Sequence, residues 1–115
     1  MAEHNELGKR GEDYAASYLQ SIGMQIERRN WHYRQKEIDI IARDGEELVF
    51  VEVKTRRSEA AAADLVSDRK IEFLLTAAEA YIQRAGFNGN ARMDLVILIE
   101  HRGDFQVEHI RDAFR

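Results

Sequence analysis

Cysteine and proline are both absent from this chain of 115 residues. Without cysteine the protein has neither disulfide bonds nor thiolate zinc sites. Its histidines are His4, His32, His101 and His109, and no two of them have the i, i+4 spacing of a helical metal site. These absences argue against a metal centre built on sulfur or imidazole ligands.

Long apolar runs and several common motifs are missing as well. No stretch approaches the roughly 20 apolar residues that a membrane-spanning helix needs, so we expect no membrane segment. Residues 1–6 are polar and acidic rather than typical of a secretory signal, which predicts a cytoplasmic protein. The sequence has no P-loop, no Gly-x-Gly-x-x-Gly and no serine elbow, and its length predicts a single domain over residues 1–115.

A positive net charge is also lacking, because 17 lysines and arginines stand against 21 aspartates and glutamates, which gives −4. Proteins that bind nucleic acid through overall charge are normally basic, so binding here would have to come from local patches. Residues 28–36 interleave four cations with two aromatic side chains, and residues 54–57 add three more cations. Solvated turns have similar charge runs, so both interpretations stay open.

The chain does contain a regular series of amphipathic segments. The predicted elements are a helix over residues 7–22, strands over 24–33, 37–43 and 48–54, a helix from the N-cap Ser67 to the terminator Gly86, and strands over 93–99 and 105–109. Residues 55–66 are predicted to form a loop, with a helical turn over 59–63 as the alternative. Ile110 and Phe114, spaced i, i+4, predict a final helical turn.

The order α-β-β-β-α-β-β predicts an α/β fold with a mixed central sheet. The first three strands can form an antiparallel meander, with Asp44-Gly45 as a hairpin turn. The helix between the third and fourth strands has the length of a crossover, which predicts that those two strands are parallel. The apolar face predicted for this helix comprises Ile71, Leu74, Leu75, Ala78, Ile82 and Ala85.

Acidic and basic residues share one predicted face of the second hairpin. Side chains alternate along a strand, so Glu52 and Lys54 lie on the same face of the third strand. Two-residue and four-residue turns within 44–47 preserve the same parity and place Glu37 and Asp39 on that face too. The four-residue turn sets Asp39 directly opposite Glu52, whereas the two-residue turn places them diagonally.

Two carboxylates that face each other on adjacent strands repel unless a proton or a cation lies between them. Mg²⁺ suits this position because it binds one or two carboxylates, keeps several waters and leaves room for a phosphate. Lys54 adds a positive charge able to orient an attacking water. The pattern therefore points to metal-assisted phosphodiester hydrolysis, with a surface salt bridge between Glu52 and Lys54 as the alternative.

Several short motifs occur together in a fixed order along the chain. They are Gly8-x-x-Gly11-Glu12-x-x-Ala15, Arg29-Asn30-Trp31, residues 37–41 (EIDII), residues 50–56 (FVEVKTR), Lys70, Ala80-Tyr81-Ile82, Arg92-Met93-Asp94 and residues 109–114 (HIRDAF). This set resembles the YraN family of small bacterial proteins over nearly the whole chain. The motifs of that family are similar to those of the restriction-endonuclease-like PD-(D/E)xK nucleases, in particular the archaeal Holliday-junction-resolvase branch.

The resemblance implies a restriction-endonuclease-like three-layer core and a role in metal-dependent DNA cleavage. It also implies that Asp39 and Glu52 bind Mg²⁺ or Mn²⁺, that Lys54 is the catalytic lysine, and that Glu12 completes the acidic metal site. Independently of the family, Glu12 shares a helix face with Ala15, which directs it toward the sheet. The alternative is a first-turn glutamate that interacts favourably with the helix dipole.

The leading functional hypothesis is a Mg²⁺-dependent DNA endonuclease acting on branched or damaged DNA. The cations expected to contact phosphates are Arg28, Arg29, Arg34, Lys36, Arg56, Arg57 and Lys70. Trp31 and Tyr33 are candidates for stacking on an unpaired base, with burial in the core as the alternative. Two further hypotheses are a nucleic-acid-binding module with a vestigial site and an acidic patch that binds a basic protein. Resolvase-like relatives also imply a homodimer.

Overall fold

The structure is a computed structural model that describes residues 2–57 and 66–114, with side chains described from residue 6 onward. Its elements are α1 (Ala2–Ser21), β1 (Gln25–Tyr33), β2 (Lys36–Asp44), β3 (Glu47–Arg56), α2 (Asp68–Ala85), β4 (Ala91–His101) and β5 (Asp104–Ile110). The predicted order of helices and strands is confirmed. No helix in the described ranges combines the length and apolarity needed to cross a membrane.

The five strands form one sheet in the order β1-β2-β3-β4-β5. Neighbouring strands are antiparallel except for β3 and β4, which are parallel across the α2 crossover. The meander and the crossover were both predicted, since short turns join antiparallel strands and a helix is long enough to return the chain for parallel pairing. The protein is therefore an α/β fold with a mixed sheet.

Each helix covers one face of the sheet. On one face α1 buries Ala15 and Leu19 against β2, β3 and β4, and on the other α2 buries Leu74 and Tyr81 against Phe50 and its neighbours. The result is a three-layer α-β-α arrangement. Burying apolar side chains on both faces of the central strands accounts for the nearly continuous apolar runs in β3 and β4.

The predicted apolar face of α2 is only partly right. Leu74 and Ala78 are buried, but Leu75 is 37% exposed and Ala85 lies at the surface. Tyr81 is buried instead, packed edge-on against Phe50, because the core-facing side of the helix is set by the aromatic residues of the sheet. The sequence periodicity therefore predicted the buried face of α2 to within about one residue per helical turn.

The ends of α2 follow their predicted caps. The Ser67 hydroxyl accepts a hydrogen bond from the Lys70 backbone N–H at 3.1 Å, which satisfies one of the free donors of the first turn. Gly86 ends the helix in the left-handed region with φ 66°, where glycine has no Cβ penalty.

Two predictions near the chain's turns need correction or qualification. The final helical turn is wrong, because Ile110 ends β5 and residues 111–114 are not helical. The loop predicted over 55–66 begins later, since β3 continues through Arg56. The remainder of that prediction, including the possible helical turn over 59–63, lies outside the described residues.

Candidate functional site

The candidate site lies where β2 separates from β3. Backbone pairing between them runs from Asp44 and Glu47 to Ile40 and Val51, which is the register predicted for the longer turn. Beyond that point the Val53 backbone N–H donates to the carboxylate Oδ2 of Asp39 at 2.8 Å. A side chain thus takes the place of the next strand-to-strand hydrogen bond.

The alternation of side chains along β2 also breaks at Asp39. Ile38 and Ile41 both pack on the α2 side of the sheet, whereas Ile40 packs on the α1 side. A regular strand would put residues 38 and 40 on the same face. Asp39 therefore occupies an irregular position at the open edge between the two strands.

This irregularity overturns one expectation, that Glu37 shares a face with Glu52. Since Ile38 faces α2, Glu37 faces away from it, and its carboxylate accepts a hydrogen bond from the Asn30 side chain at 3.3 Å. Asn30 itself has a positive φ of 51°, so the irregularity of β2 is matched in the neighbouring strand β1. A strictly alternating strand was the assumption that failed.

Glu52 is a buried carboxylate with two lysines beside it. It is 3% exposed and projects toward α2, one step along the strand face from Phe50. Lys54 Nζ lies 3.4 Å from its Oε2, and Lys70 Nζ, from the first turn of α2, lies 3.8 Å from the same oxygen. The predicted pairing of Glu52 with Lys54 is present, but in a buried setting rather than as a solvated surface pair.

Asp39 and Glu52 are close enough to influence each other's protons. Burial, followed by the negative charge of Glu52, raises the pKa of Asp39 to about 8. The hydrogen bond from Val53 opposes this shift, while contact with the Glu52 carboxylate and the charge of Glu12 add to it. The Asp39 carboxyl therefore favours a proton or a positive ion at neutral pH.

Glu12 approaches this pair from the α1 side. Gly11 is buried against β3, where an added Cβ would lie 2.1 Å from Thr55 Oγ1, so glycine permits the close approach of helix and strand. The Glu12 carboxylate accepts a hydrogen bond from Asn30 at 2.7 Å and lies 3.6 Å from the Arg29 guanidinium. Glu12 thus adds negative charge near Asp39.

The donor set suits a small, hard cation held by two carboxylates. Among the residues that the structure describes, no three aspartate, glutamate or histidine side chains are grouped tightly enough to form a metal site. One buried and one partly buried carboxylate, with a proton to displace, match the one or two protein carboxylates that Mg²⁺ usually takes. Asp39 and Glu52 are the residues that would hold it, with Glu12 at a greater distance.

The cations expected to contact nucleic acid fall into two groups. Those engaged with protein acceptors are Arg29 with Asp13, Arg56 with the Thr55 carbonyl, and Arg57 with Glu100. Those near aromatic rings are Arg28 by Tyr81, Arg34 over Tyr33, and both Lys36 and Lys70 over Phe73. The structure does not bring all seven to one surface, because Arg29 faces α1 and the aromatic group faces α2.

Sequence reasoning did not assign roles to three residues around the site. Gly11 and Asn30 stand inside motifs that were recognised, and each adjoins a residue that was singled out. Arg84 gave no motif signal, yet its guanidinium lies 5.8 Å from the Trp31 ring centre and 5.6 Å from that of Tyr33. The spacing of Arg84 three helical turns after Phe73 would have placed them on one face of α2.

Together these features define an α/β protein whose mixed sheet is covered by a helix on each face. The sheet carries a pair of carboxylates, one buried and one partly buried, where two strands separate. A family model described as uncharacterised protein family UPF0102 matches residues 11–98. The chain belongs to this family, which is the YraN family that the sequence motifs indicated.

Bacterial relatives match along nearly their whole length. The UPF0102 protein of Phocaeicola vulgatus is 41% identical, with 99% of this chain and 96% of the relative covered. The corresponding protein of Bacteroides thetaiotaomicron is 42% identical over the same shares. That of Flavobacterium johnsoniae is 44% identical over 99% of this chain and 98% of the relative.

Proposed function

We propose that this protein binds DNA and hydrolyses its phosphodiester bonds with the help of Mg²⁺ or Mn²⁺, on branched substrates of the Holliday-junction type. The observation that carries the proposal is that Asp39, partly buried, lies beside the buried Glu52 at the open edge between β2 and β3. Two carboxylates in that position are unfavourable in an empty site, and Lys54 stands 3.4 Å from Glu52. Acidic side chains whose surroundings oppose their ionisation are typical of functional sites.

Asp39 and Glu52 would hold the ion, which when bound withdraws charge from a phosphate oxygen and lowers the pKa of a water molecule. Lys54 is the residue placed to orient that water, since Glu52 holds its ammonium group in position and the lysine remains partly exposed. Lys70 adds a second positive charge beside Glu52 from the helix, which favours an anionic phosphate at the mouth of the site.

A cleavage screen tests the proposal directly. Four-way, duplex and single-stranded DNA are incubated with the protein and Mg²⁺ or Mn²⁺, and Lys54→Ala is expected to lower the cleavage rate by about 100-fold or more. Lys9→Ala is the matched control, because that lysine is exposed on α1 and pairs with Asp13, away from the candidate site. Equal rates for wild type and Lys54→Ala would assign the cleavage to a contaminant and contradict the proposal.

One observation favours a second candidate, a nucleic-acid-binding module without catalysis. The described side chains provide a carboxylate pair but no group of three possible metal ligands. Under this alternative, calorimetry detects Mn²⁺ binding to the wild type and not to Asp39→Asn, while no DNA structure in the screen is cut. Cleavage that is lost in Lys54→Ala would reject it.

A further inference from the structure

A row of aromatic rings and cations follows the seam between the edge strand β1 and helix α2. Its rings are Trp31, Tyr33 and Phe73, and its cations are Arg34, Lys36, Lys70 and Arg84. We call this row the aromatic seam. Each ring is partly buried, with part of its surface packed on the α2-side core and part accessible.

The rings form a continuous series along the seam. Trp31 and Tyr33 stack with their centres 6.1 Å apart and their planes inclined by 16°, and the Tyr33 and Phe73 centres are 6.3 Å apart. The helical rise separates Lys70 from Arg84 by about 21 Å, which gives the length of the row. That length accommodates several nucleotides of an extended strand.

The cations of the seam differ from most others in the protein. Within residues 6–57 and 66–114, Arg34, Lys36 and Arg84 form no ion pair with a carboxylate. Six arginines elsewhere are paired with acids within 3.2 Å, namely Arg10, Arg29, Arg43, Arg57, Arg92 and Arg111. Among the described residues Arg28, Arg69 and Arg102 share the unpaired state of the seam cations, but they are not part of the row of rings. One acid, Glu79, lines the same groove as Tyr33. It offsets part of the positive charge of the seam.

The seam is also continuous with the candidate site. Lys70 lies over the Phe73 ring at 5.8 Å and within 3.8 Å of the Glu52 carboxylate, so one residue belongs to both. A nucleic-acid strand lying along the seam would therefore lead to the carboxylates of Asp39 and Glu52. No other row of rings in the described structure has this connection to the site.

We propose that the aromatic seam binds single-stranded nucleic acid, with bases stacking on Tyr33 and Phe73 and phosphates paired with Arg34, Lys36 and Arg84. Unpaired bases expose the faces that stacking needs, whereas a duplex hides them, and an acidic peptide offers no such faces. This binding does not depend on the proposed cleavage activity. One consequence does rest on the proposed function, namely a preference for cutting DNA that has an unpaired stretch beside the scissile phosphate.

The test measures fluorescence anisotropy of a labelled oligothymidylate in EDTA, so that cleavage and metal binding play no part. Tyr33→Leu is expected to weaken binding about fivefold or more and Tyr33→Phe to restore it, because the ring and not the hydroxyl stacks. Arg84→Ala is expected to reduce the slope of log K against the logarithm of the salt concentration by about 0.7, because one phosphate contact is lost. The matched control is Arg43→Ala, whose guanidinium also lies over a ring, Phe87 at 4.8 Å, but is held by Glu27 at 2.8 Å.

Thermal unfolding of each variant confirms that the fold is kept before affinities are compared. Equal losses in Arg84→Ala and Arg43→Ala, or no loss in Tyr33→Leu, would overturn the proposal. The proposal would also be overturned if polyglutamate or blunt duplex DNA displaced the labelled oligothymidylate as well as unlabelled oligothymidylate does. If the protein binds oligothymidylate as expected but cuts no DNA, the proposed cleavage is rejected and the seam assignment stands. If it cuts DNA but the seam variants bind oligothymidylate as well as wild type does, the seam assignment is rejected and the cleavage stands.

Discussion

At Asp39 a carboxyl group that is ordinarily ionised at neutral pH is partly buried next to another carboxylate. Its pKa rises from 3.8 to about 8, first through burial and then through the charge of Glu52. Between those pH values the folded protein holds a proton that the unfolded chain has released. Stability of the metal-free protein therefore falls as pH rises through this window, by up to about 1.4 kcal/mol per pH unit, and levels off above pH 8.

Asp39→Asn is expected to remove this pH dependence and to leave the metal-free protein more stable than wild type at pH 8. The amide is neutral at every pH, and its oxygen keeps the acceptor role toward Val53. Denaturation in urea from pH 4 to 9 in EDTA measures the effect. Added Mn²⁺ should then raise the melting temperature of the wild type and not of the variant, because an ion that binds only the folded state stabilises it. Parallel pH curves for the two proteins would contradict the assigned burial.

Gly11 lies inside helix α1, where glycine is unfavourable, and its close contact with β3 explains why glycine is needed there. Gly11→Ala is expected to destabilise the protein by about 1–3 kcal/mol, because the new methyl group would collide with Thr55 Oγ1 and push α1 and Glu12 away from β3. Thr55→Ala in the same chain should recover part of the loss. Gly8→Ala, in the same helix with nothing within 4 Å, is the control and should stabilise by up to about 1 kcal/mol. Similar effects at both glycines would rule out the close approach.

Among the elements, β4 and β5 are joined by a buried charged network away from the candidate site. Asp94 is fully buried and accepts hydrogen bonds from Arg92 Nε at 3.0 Å and from the Asp112 backbone N–H at 3.0 Å, and its Oδ2 lies 2.7 Å from His109 Nε2. The other ring nitrogen of His109 lies 2.9 Å from the Tyr18 hydroxyl of α1. The network thus fixes the end of β5 and one helix to the centre of the sheet.

Asp94→Asn is expected to destabilise the fold by about 1–3 kcal/mol, since it keeps the shape but removes the buried charge that Arg92 and His109 contact. The loss is limited because Arg92 keeps its pairs with Asp44 and Glu47. Urea denaturation at neutral pH gives the value. Arg111→Ala is the control, because that exposed arginine pairs with Asp44 at the surface and should change stability by no more than about 0.5 kcal/mol. A loss as small as that control's would mean that the network contributes little.

For the molecule as a whole, the net charge of −4 opposes interaction with DNA. The charges are unevenly distributed, however, because most arginines outside the aromatic seam are already paired with carboxylates. We therefore expect DNA affinity to fall about tenfold or more between 50 and 200 mM salt as phosphate counterions are released. Arg111→Ala should leave the slope unchanged, and an affinity that is flat over this range would contradict phosphate binding.

The parts of the fold that were predicted correctly depend on local chemistry. Ser67 and Gly86 marked the ends of α2 because their capping roles involve neighbours within a few residues. Glu52 and Lys54 share a face because β3 alternates regularly. The errors occurred where distant contacts decide: Tyr81 replaced Leu75 in the core, and residues 111–114 follow their contacts with β4 rather than a helical spacing.

The sequence by itself determined the order of the elements, the crossover between β3 and β4, and the acidic and lysine residues of the candidate site. Each of these follows from spacing along one segment. Only the tertiary structure decided that β2 breaks its alternation at Asp39 and that this carboxyl lies partly buried beside Glu52. Those features arise from strands and helices meeting across the sheet, and the burial that shifts a pKa exists only when they have met.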